Sequence, residues 1–235
     1  VSNQWMIDEL EYAGPEHLDP GFVAGYDRKA GFDLRSGTNP AGDLELFAGH
    51  GLDASSTVVD LGAGTGGFAL AAAERFGRVI AVDVSPAMLD RLRARAQEMP
   101  NLECVHAGFL SYEHTGDLAD GVYTRNALHQ LPDFWKALAL ERIRGLLRPG
   151  GVLRLRDLVY DFQPDEAPAV LDRWLDDAVD DPAIGYTRQD FVDHIRTEYS
   201  TFRWLLEPML QATGFEIVSV EYERRIYAAY TCIRR

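Results

Sequence analysis

Apolar residues along the chain fall into short unbroken runs separated by longer stretches with helical spacing. Val58, Val59 and Leu61 form the first run, and the alanine-rich segment Ala69 to Arg75 follows it. A run this short and β-branched suits a strand buried on both faces, whereas the alanine-rich segment suits a helix. Arg78 to Asp83 repeats the strand pattern. Ser85 then supplies a helix N-cap with Pro86 at the first helical position, which predicts a helix over 86–98. Asn101 to Ala107 reads as a third strand and Gly121 to Arg125 as a fourth, with Asp117 to Asp120 marking the loop before it. Asp133 to Leu147 carries apolar residues at helical spacing. Arg148-Pro149-Gly150-Gly151 stops that helix, and Val152 to Asp157 follows as a fifth strand. Strands alternating with helices imply a doubly wound α/β sheet with right-handed crossovers. No internal repeat or low-complexity linker interrupts the pattern.

The join between the first strand and its helix, Asp60-Leu61-Gly62-Ala63-Gly64-Thr65-Gly66-Gly67, is dense in glycine. Such a turn brings backbone N–H groups at a helix start close to a ligand, with no Cβ in the way. Asp83 closes the second strand 21 residues after Gly62, the distance at which a βαβ unit returns a carboxylate to the same sheet edge. An acid there accepts hydrogen bonds from ribose hydroxyls. The glycine spacing itself is degenerate: Gly62, Gly64 and Gly67 fit a dinucleotide pattern, and Gly62, Gly64 and Gly66 fit a G-x-G-x-G turn for S-adenosylmethionine. Asp60 tips the balance, because a carboxylate beside the loop repels a pyrophosphate and suits a cationic amino-acid moiety.

Composition narrows the partners. A formal net charge of −14 has the wrong sign for gripping phosphates, so a nucleic-acid partner is disfavoured. The best basic patch, Arg91, Arg93 and Arg95, reads as a solvated helix face. No run of about 18 apolar residues exists to span a membrane, and Val1 to Trp5 lacks the layout of a secretory signal. A cytoplasmic location is the resulting expectation. Cys104 and Cys232 lie in apolar strand-like segments and read as buried small hydrophobes, without zinc spacing or a disulfide framework.

Four segments occur in order: Val58 to Gly66, then Asp83-Val84-Ser85-Pro86-Ala87-Met88-Leu89, then Ala127-Leu128-His129-Gln130-Leu131-Pro132-Asp133, then Leu147-Arg148-Pro149-Gly150-Gly151. Together they resemble the class I S-adenosylmethionine-dependent methyltransferases, from about Asp53 to Asp157 and again from Gly214-Phe215. The resemblance implies a Rossmann-like, seven-stranded, mostly parallel sheet whose last strand is antiparallel, with Glu216 to Glu221 and Ile226 to Ile233 as the closing hairpin. It implies that Asp60, Gly62, Ala63, Gly64 and Gly66 form the methionine side of the cofactor site and that Asp83 holds both ribose hydroxyls. Val84 and Met88 would flank the adenine, and the Asn126 backbone would contact the methionine amino group. Where the family usually carries an acid near the adenine amino group, this chain has Gly108-Phe109. Phe109 there either stacks on the ring or simply lines the pocket.

His129 is a candidate general base for the acceptor, with a cap or packing role as the alternative. Tyr26 is the lead residue of an N-terminal segment expected to close over the cofactor; the alternative is an aromatic on the core face of an amphipathic helix. The expected layout is one domain over 1–235, with a helical lid over 1–50, a cofactor core over 53–158, a helical insertion over 159–209 on the substrate side, and a terminal hairpin over 214–235. The insertion carries Asp172, Asp176, Asp177, Asp180 and Asp181 with Trp174, Tyr186, Tyr199, Phe202 and Trp204. Aromatics beside carboxylates can hold an amine or other cation, and a solvated helix face is the plainer alternative. Neither outlying region shows metal-ligand spacing. The expected reaction is in-line methyl transfer to an O, N or C nucleophile of a small molecule, leaving S-adenosylhomocysteine. Three alternatives stay open: a methyltransferase of tRNA or another macromolecule, an NAD(P)-dependent oxidoreductase, and a cofactor-binding protein without catalysis. The oligomeric state is open too, a dimer included.

Overall fold

The computed structural model describes residues 4–29 and 40–235. Part of the expected lid, residues 30–39, therefore lies outside the described residues, as do Val1 to Asn3. The elements in chain order are α1 (Pro20–Lys29), α2 (Ala41–Gly49), β1 (Thr57–Leu61), α3 (Gly67–Ala73), β2 (Arg78–Asp83), α4 (Pro86–Arg95), β3 (Leu102–His106), β4 (Ala119–Arg125), α5 (Asp133–Leu146), β5 (Leu147–Tyr160), α6 (Ala167–Leu175), α7 (Arg188–Thr197), β6 (Thr201–Phe202), α8 (Arg203–Ala212), β7 (Phe215–Glu223) and β8 (Tyr227–Arg234). Short 3-10 turns at Glu9–Tyr12 and Pro15–Leu18 precede α1.

The strands lie in the order β3-β2-β1-β4-β5-β8-β7. β1 to β5 run parallel, and β8 runs antiparallel to both β5 and β7. This is the expected seven-stranded sheet, with one addition: the two-residue β6 pairs with the end of β5 through Val159 and Tyr160. Chain direction across the sheet reverses at β1, which sits between β2 and β4, and a crevice opens there at the carboxyl ends. Successive strand residues point to opposite faces, so two cores form. Val59, Leu61, Val82, Val122 and Leu153 pack with Leu140 and Ile143 of α5 and Leu206 and Leu210 of α8. Val58, Val79, Ala81 and Tyr123 pack with Ala69 and Ala72 of α3, Leu89 and Leu92 of α4, and Phe47 of α2.

Several boundaries differ from the sequence expectation, β4 starting at Ala119 and β5 running on to Tyr160 among them. α4 ends at Arg95, and Pro100 shortly after disfavours continued helix. β5 begins at Leu147, before the Arg148 to Gly151 turn, because Leu147 pairs with Ala119 while Val152 pairs with Gly121. The four intervening residues bulge out of register. Cys232 is buried and Cys104 half-buried, and both are free. No helix among the described residues is long and apolar enough to cross a membrane.

A buried ion-pair group ties α2 to the sheet. Asp43 Oδ1 accepts from Arg154 Nε at 2.8 Å, and its Oδ2 accepts from Arg156 Nη1 at 2.8 Å and from the Tyr123 hydroxyl at 3.2 Å. Burial would raise the Asp43 carboxyl, but the two guanidinium groups outweigh it and hold its pKa below the usual value. The insertion forms a third apolar cluster, in which Trp174 of α6 stacks on Phe191 of α7 at 4.5 Å beside Leu158 and Ile226.

Candidate active site

The turn after β1 is fixed before any ligand arrives. Gly62 and Ala63 both donate to the Val82 carbonyl, at 2.9 and 3.0 Å. Gly62 has a φ of 75°, and a Cβ there would sit 2.3 Å from the Ala127 Cβ. Only glycine satisfies both demands. Gly64, at φ 54°, faces open space, with the Tyr26 ring 4.0 Å from where its Cβ would be. Gly66 does something else. It caps α3, and a Cβ there would strike Leu92 of α4 at 2.2 Å. It does not line the cleft, so its role is to let α3 and α4 pack closely. The resemblance implied a cofactor contact for Gly66, and the packing of α3 on α4 is a separate demand on the same position.

Two carboxylates are buried at the carboxyl ends of β1 and β2. Asp83 accepts from Gly64 N and Ser85 N, each at 2.8 Å, which leaves further lone pairs on both oxygens. Burial raises its pKa, and those two backbone bonds partly offset the rise. Asp60 is 2% exposed, and its Oδ2 has no hydrogen-bond partner. Desolvation first, and the neighbouring Asp83 second, push the Asp60 carboxyl up to about 8. A buried carboxyl with one unpartnered oxygen, beside a second acid, suits a ligand that brings a cation and hydroxyl groups. A pyrophosphate fits this pair badly.

The cleft above the turn is lined by Gly62, Gly64, Asp83, Val84, Met88, Gly108, Phe109 and Asn126, with Tyr26 on the N-terminal side. Asp60 and Ala63 line its continuation. The structure thus gathers every cofactor residue expected from sequence except Gly66. Asn126 adopts a φ of 48°, a left-handed conformation that asparagine tolerates better than most residues. Arg125, which sequence reasoning named only as a strand end, lines the same cleft and is a suitable cation for the carboxylate of an amino-acid moiety.

Sequence reasoning also missed Glu9. Its carboxylate, 7% exposed, accepts from Leu110 N at 3.0 Å and Ser111 Oγ at 2.8 Å, beside Gly108 and Phe109. An acid from the N-terminal segment therefore stands where strand β3 lacks one. Gly108 makes room for it, since a Cβ there would lie 2.4 Å from the Glu9 carboxylate. Burial raises the Glu9 pKa, against the lowering effect of the Leu110 and Ser111 bonds. The N-terminal segment is anchored again where Ser85 Oγ donates to the His17 carbonyl at 2.6 Å.

A second cavity, of about 940 Å³, adjoins the cleft and shares Tyr12, His17, Tyr26, Asn126 and Gln130 with it. The insertion forms its far wall. Trp174, Tyr186 and Tyr199 line it as the sequence suggested, but Phe202 and Trp204 do not. Its acids are Glu11, Asp190, Asp193 and Glu198 rather than the 172–181 group, of which Asp176 and Asp177 make exposed ion pairs with Arg188 and Arg224. His129 borders this cavity and not the cofactor cleft. Its Nδ1 lies 2.5 Å from Asp157 Oδ1 and its Nε2 lies 2.8 Å from Glu198 Oε2. Burial alone would lower the imidazole pKa, but the two carboxylates overcome it and hold it at about 9. In this arrangement both ring nitrogens are engaged and the ring is protonated at neutral pH.

Residues 58–151 match a family described as a methyltransferase domain. Trans-aconitate 2-methyltransferase of Methylobacterium radiotolerans is 40% identical over 123 residues, 51% of this chain and 44% of that protein. The enzyme of the same name from Deinococcus radiodurans is 39% identical over 126 residues, 53% and 45% of the two chains. The chain thus spans less than half the length of these relatives. Among solved structures, magnesium protoporphyrin IX methyltransferase from Synechocystis PCC 6803, with S-adenosylmethionine bound, superposes with a TM-score of 0.65 at 14% identity, covering 99% of this chain and 100% of that one. A methyltransferase from Aquifex aeolicus gives 0.63 at 17% identity, covering 92% and 99%. With the glycine turn, the paired acids and the strand order all in agreement, residues 58–151 form a methyltransferase domain set in the Rossmann-like fold of these S-adenosylmethionine-dependent enzymes.

Proposed function

We propose that the chain transfers the methyl group of S-adenosylmethionine to a small, neutral or cationic acceptor held in the 940 Å³ cavity. The observation that carries this reading is the lining of that cavity. Histidines, tyrosines, a tryptophan and four carboxylates face it, and among the described lining residues there is no lysine or arginine. A tricarboxylate such as trans-aconitate needs cations to hold it. This wall would repel it, so the acceptor differs from the one named for the relatives. The volume suits a molecule of a few hundred daltons, in keeping with ordinary ligand pockets of about 300–1,000 Å³.

The cofactor supplies a methyl group made electrophilic by the adjacent sulfonium. The chain's own residues do the rest. Asp83 holds the ribose, Asp60 faces the cationic amino-acid end, and Val84, Met88 and Phe109 enclose the base. Tyr26 and Asn126, shared by the cleft and the cavity, flank the passage between them and keep the acceptor aligned with the methyl group. Orientation of this kind is worth up to about 7–11 kcal/mol without any proton transfer. The test is calorimetry with S-adenosylmethionine and S-adenosylhomocysteine, followed by a labelled-methyl screen of amines, phenols and carboxylic acids. Incorporation into amines or phenols is expected. Binding of neither cofactor at submillimolar concentration, or label in tricarboxylates alone, would overturn the reading.

A further inference from the structure

His194 and Glu198 are four residues apart at the end of α7 and leave the same helix face. His129 reaches them from the turn after β4. Their ligating atoms lie within 4.8 Å of one another. Glu198 Oε2 is 2.8 Å from His129 Nε2 and closer still to His194 Nδ1. Two imidazole nitrogens thus converge on one carboxylate oxygen, each at ion-pair distance from it.

The surroundings hold the donors in place. Asp157 grips His129 Nδ1 at 2.5 Å, and its two oxygens also accept from the backbone N–H groups of His129 and Leu158, at 3.0 and 2.8 Å. A carboxylate on the far nitrogen fixes the tautomer that presents Nε2 as a lone pair and raises its basicity toward a metal. His194 Nε2 is held by Ser200 Oγ at 2.8 Å, which leaves Nδ1 facing Glu198. The Trp174 ring packs edge-on against the His194 ring at 5.6 Å. All three donors border the large cavity, so a bound ion would keep its remaining positions open toward it.

We propose that His129, His194 and Glu198 form a site for a divalent first-row transition-metal ion on the wall of the acceptor cavity. Two nitrogens and one oxygen, with no thiolate, suit Zn²⁺, Fe²⁺, Mn²⁺ or Co²⁺ rather than Mg²⁺, which favours an all-oxygen shell. Metal binding displaces the proton that His129 otherwise carries. An acceptor hydroxyl entering an open position would be oriented and acidified there and would lose its proton to solvent water before its oxygen takes the methyl group, which frees the reaction from needing a side-chain base. That last role rests on the cavity being the acceptor site, whereas the metal site stands without it.

The test uses the full chain, stripped with a chelator and titrated with Co²⁺ while the visible d–d absorption is followed, with metal content measured after gel filtration. One Co²⁺ per chain is expected, displaced by Zn²⁺, with affinity at least about a hundredfold lower in His194→Ala and in Glu198→Gln. Both changed residues lie outside the sheet core, and circular dichroism verifies the fold. Binding that is absent or substoichiometric in the unaltered chain, or unchanged in the two variants, overturns the proposal. Calorimetry with S-adenosylhomocysteine on the same samples separates the two readings. Cofactor binding without Co²⁺ binding removes only the metal site, and Co²⁺ binding without cofactor binding removes only the methyltransferase reading.

Discussion

Asp60 makes cofactor binding dependent on pH in a direction and size that the structure supplies. In the free protein its carboxyl is pushed up to about 8, by desolvation first and then by Asp83, so it is mostly neutral at pH 7. A cofactor ammonium or sulfonium beside it favours the ionised form. Binding therefore expels a proton. At pH 7, one unit below the free-state value, ionising Asp60 costs about 1.4 kcal/mol, a factor of about ten in affinity. Affinity should rise roughly tenfold per pH unit from the bound-state pKa up to about 8 and level off above it. Calorimetry in buffers of different ionisation enthalpy counts the protons, and about nine-tenths of a proton is expected from this group at pH 7. The cofactor's own amino group also titrates near this range, so the comparison is with Asp60→Asn, where that contribution is unchanged. Equal proton release by the two proteins, or an affinity that falls as pH rises toward 8, would refute the assignment of Asp60 to the cationic end.

Asp83→Ala should weaken S-adenosylhomocysteine binding by roughly 1.5–3 kcal/mol per charged hydrogen bond lost, read by calorimetry; an unchanged affinity would take the ribose away from this residue. Glu9→Ala should erase most of the preference for an adenosyl over an inosyl cofactor analogue, because it removes the acid nearest the base edge, and competition binding measures that ratio. Asp43→Ala leaves Arg154 and Arg156 facing an empty, largely buried position, so urea unfolding should lose about 3–5 kcal/mol. A loss under about 1 kcal/mol would mean that the arginines find other partners.

The sheet core was legible because its signals are local. Val58 to Asp83 encodes a strand, a turn, a helix and a strand within one stretch, and the glycines and Asp83 fall at spacings set by that unit. Gly66 shows the limit of that locality. Spacing placed it in a cofactor pattern, whereas its obligation is to Leu92, a contact across α4 that no local pattern reveals. Glu9 lies 101 residues from the Leu110 amide that it accepts from. The sequence signal for it was negative, an expected acid missing at Gly108-Phe109. The His129, His194 and Glu198 group was not read from the sequence, which showed no metal-ligand spacing in the insertion although His194 and Glu198 stand four residues apart. What brings His129 to them is the return of the insertion along β5, marked by a two-residue strand too short to read.

Gly108 and Glu9 constrain each other's replacement. A methyl group at position 108 would collide with the Glu9 carboxylate, so Gly108→Ala should be tolerated only when position 9 carries a shorter side chain. A homologue with an acid at the end of β3 should dispense with one at position 9, and one with glycine there should keep it. Substitutions at the two sites are therefore epistatic, and among relatives they should change together.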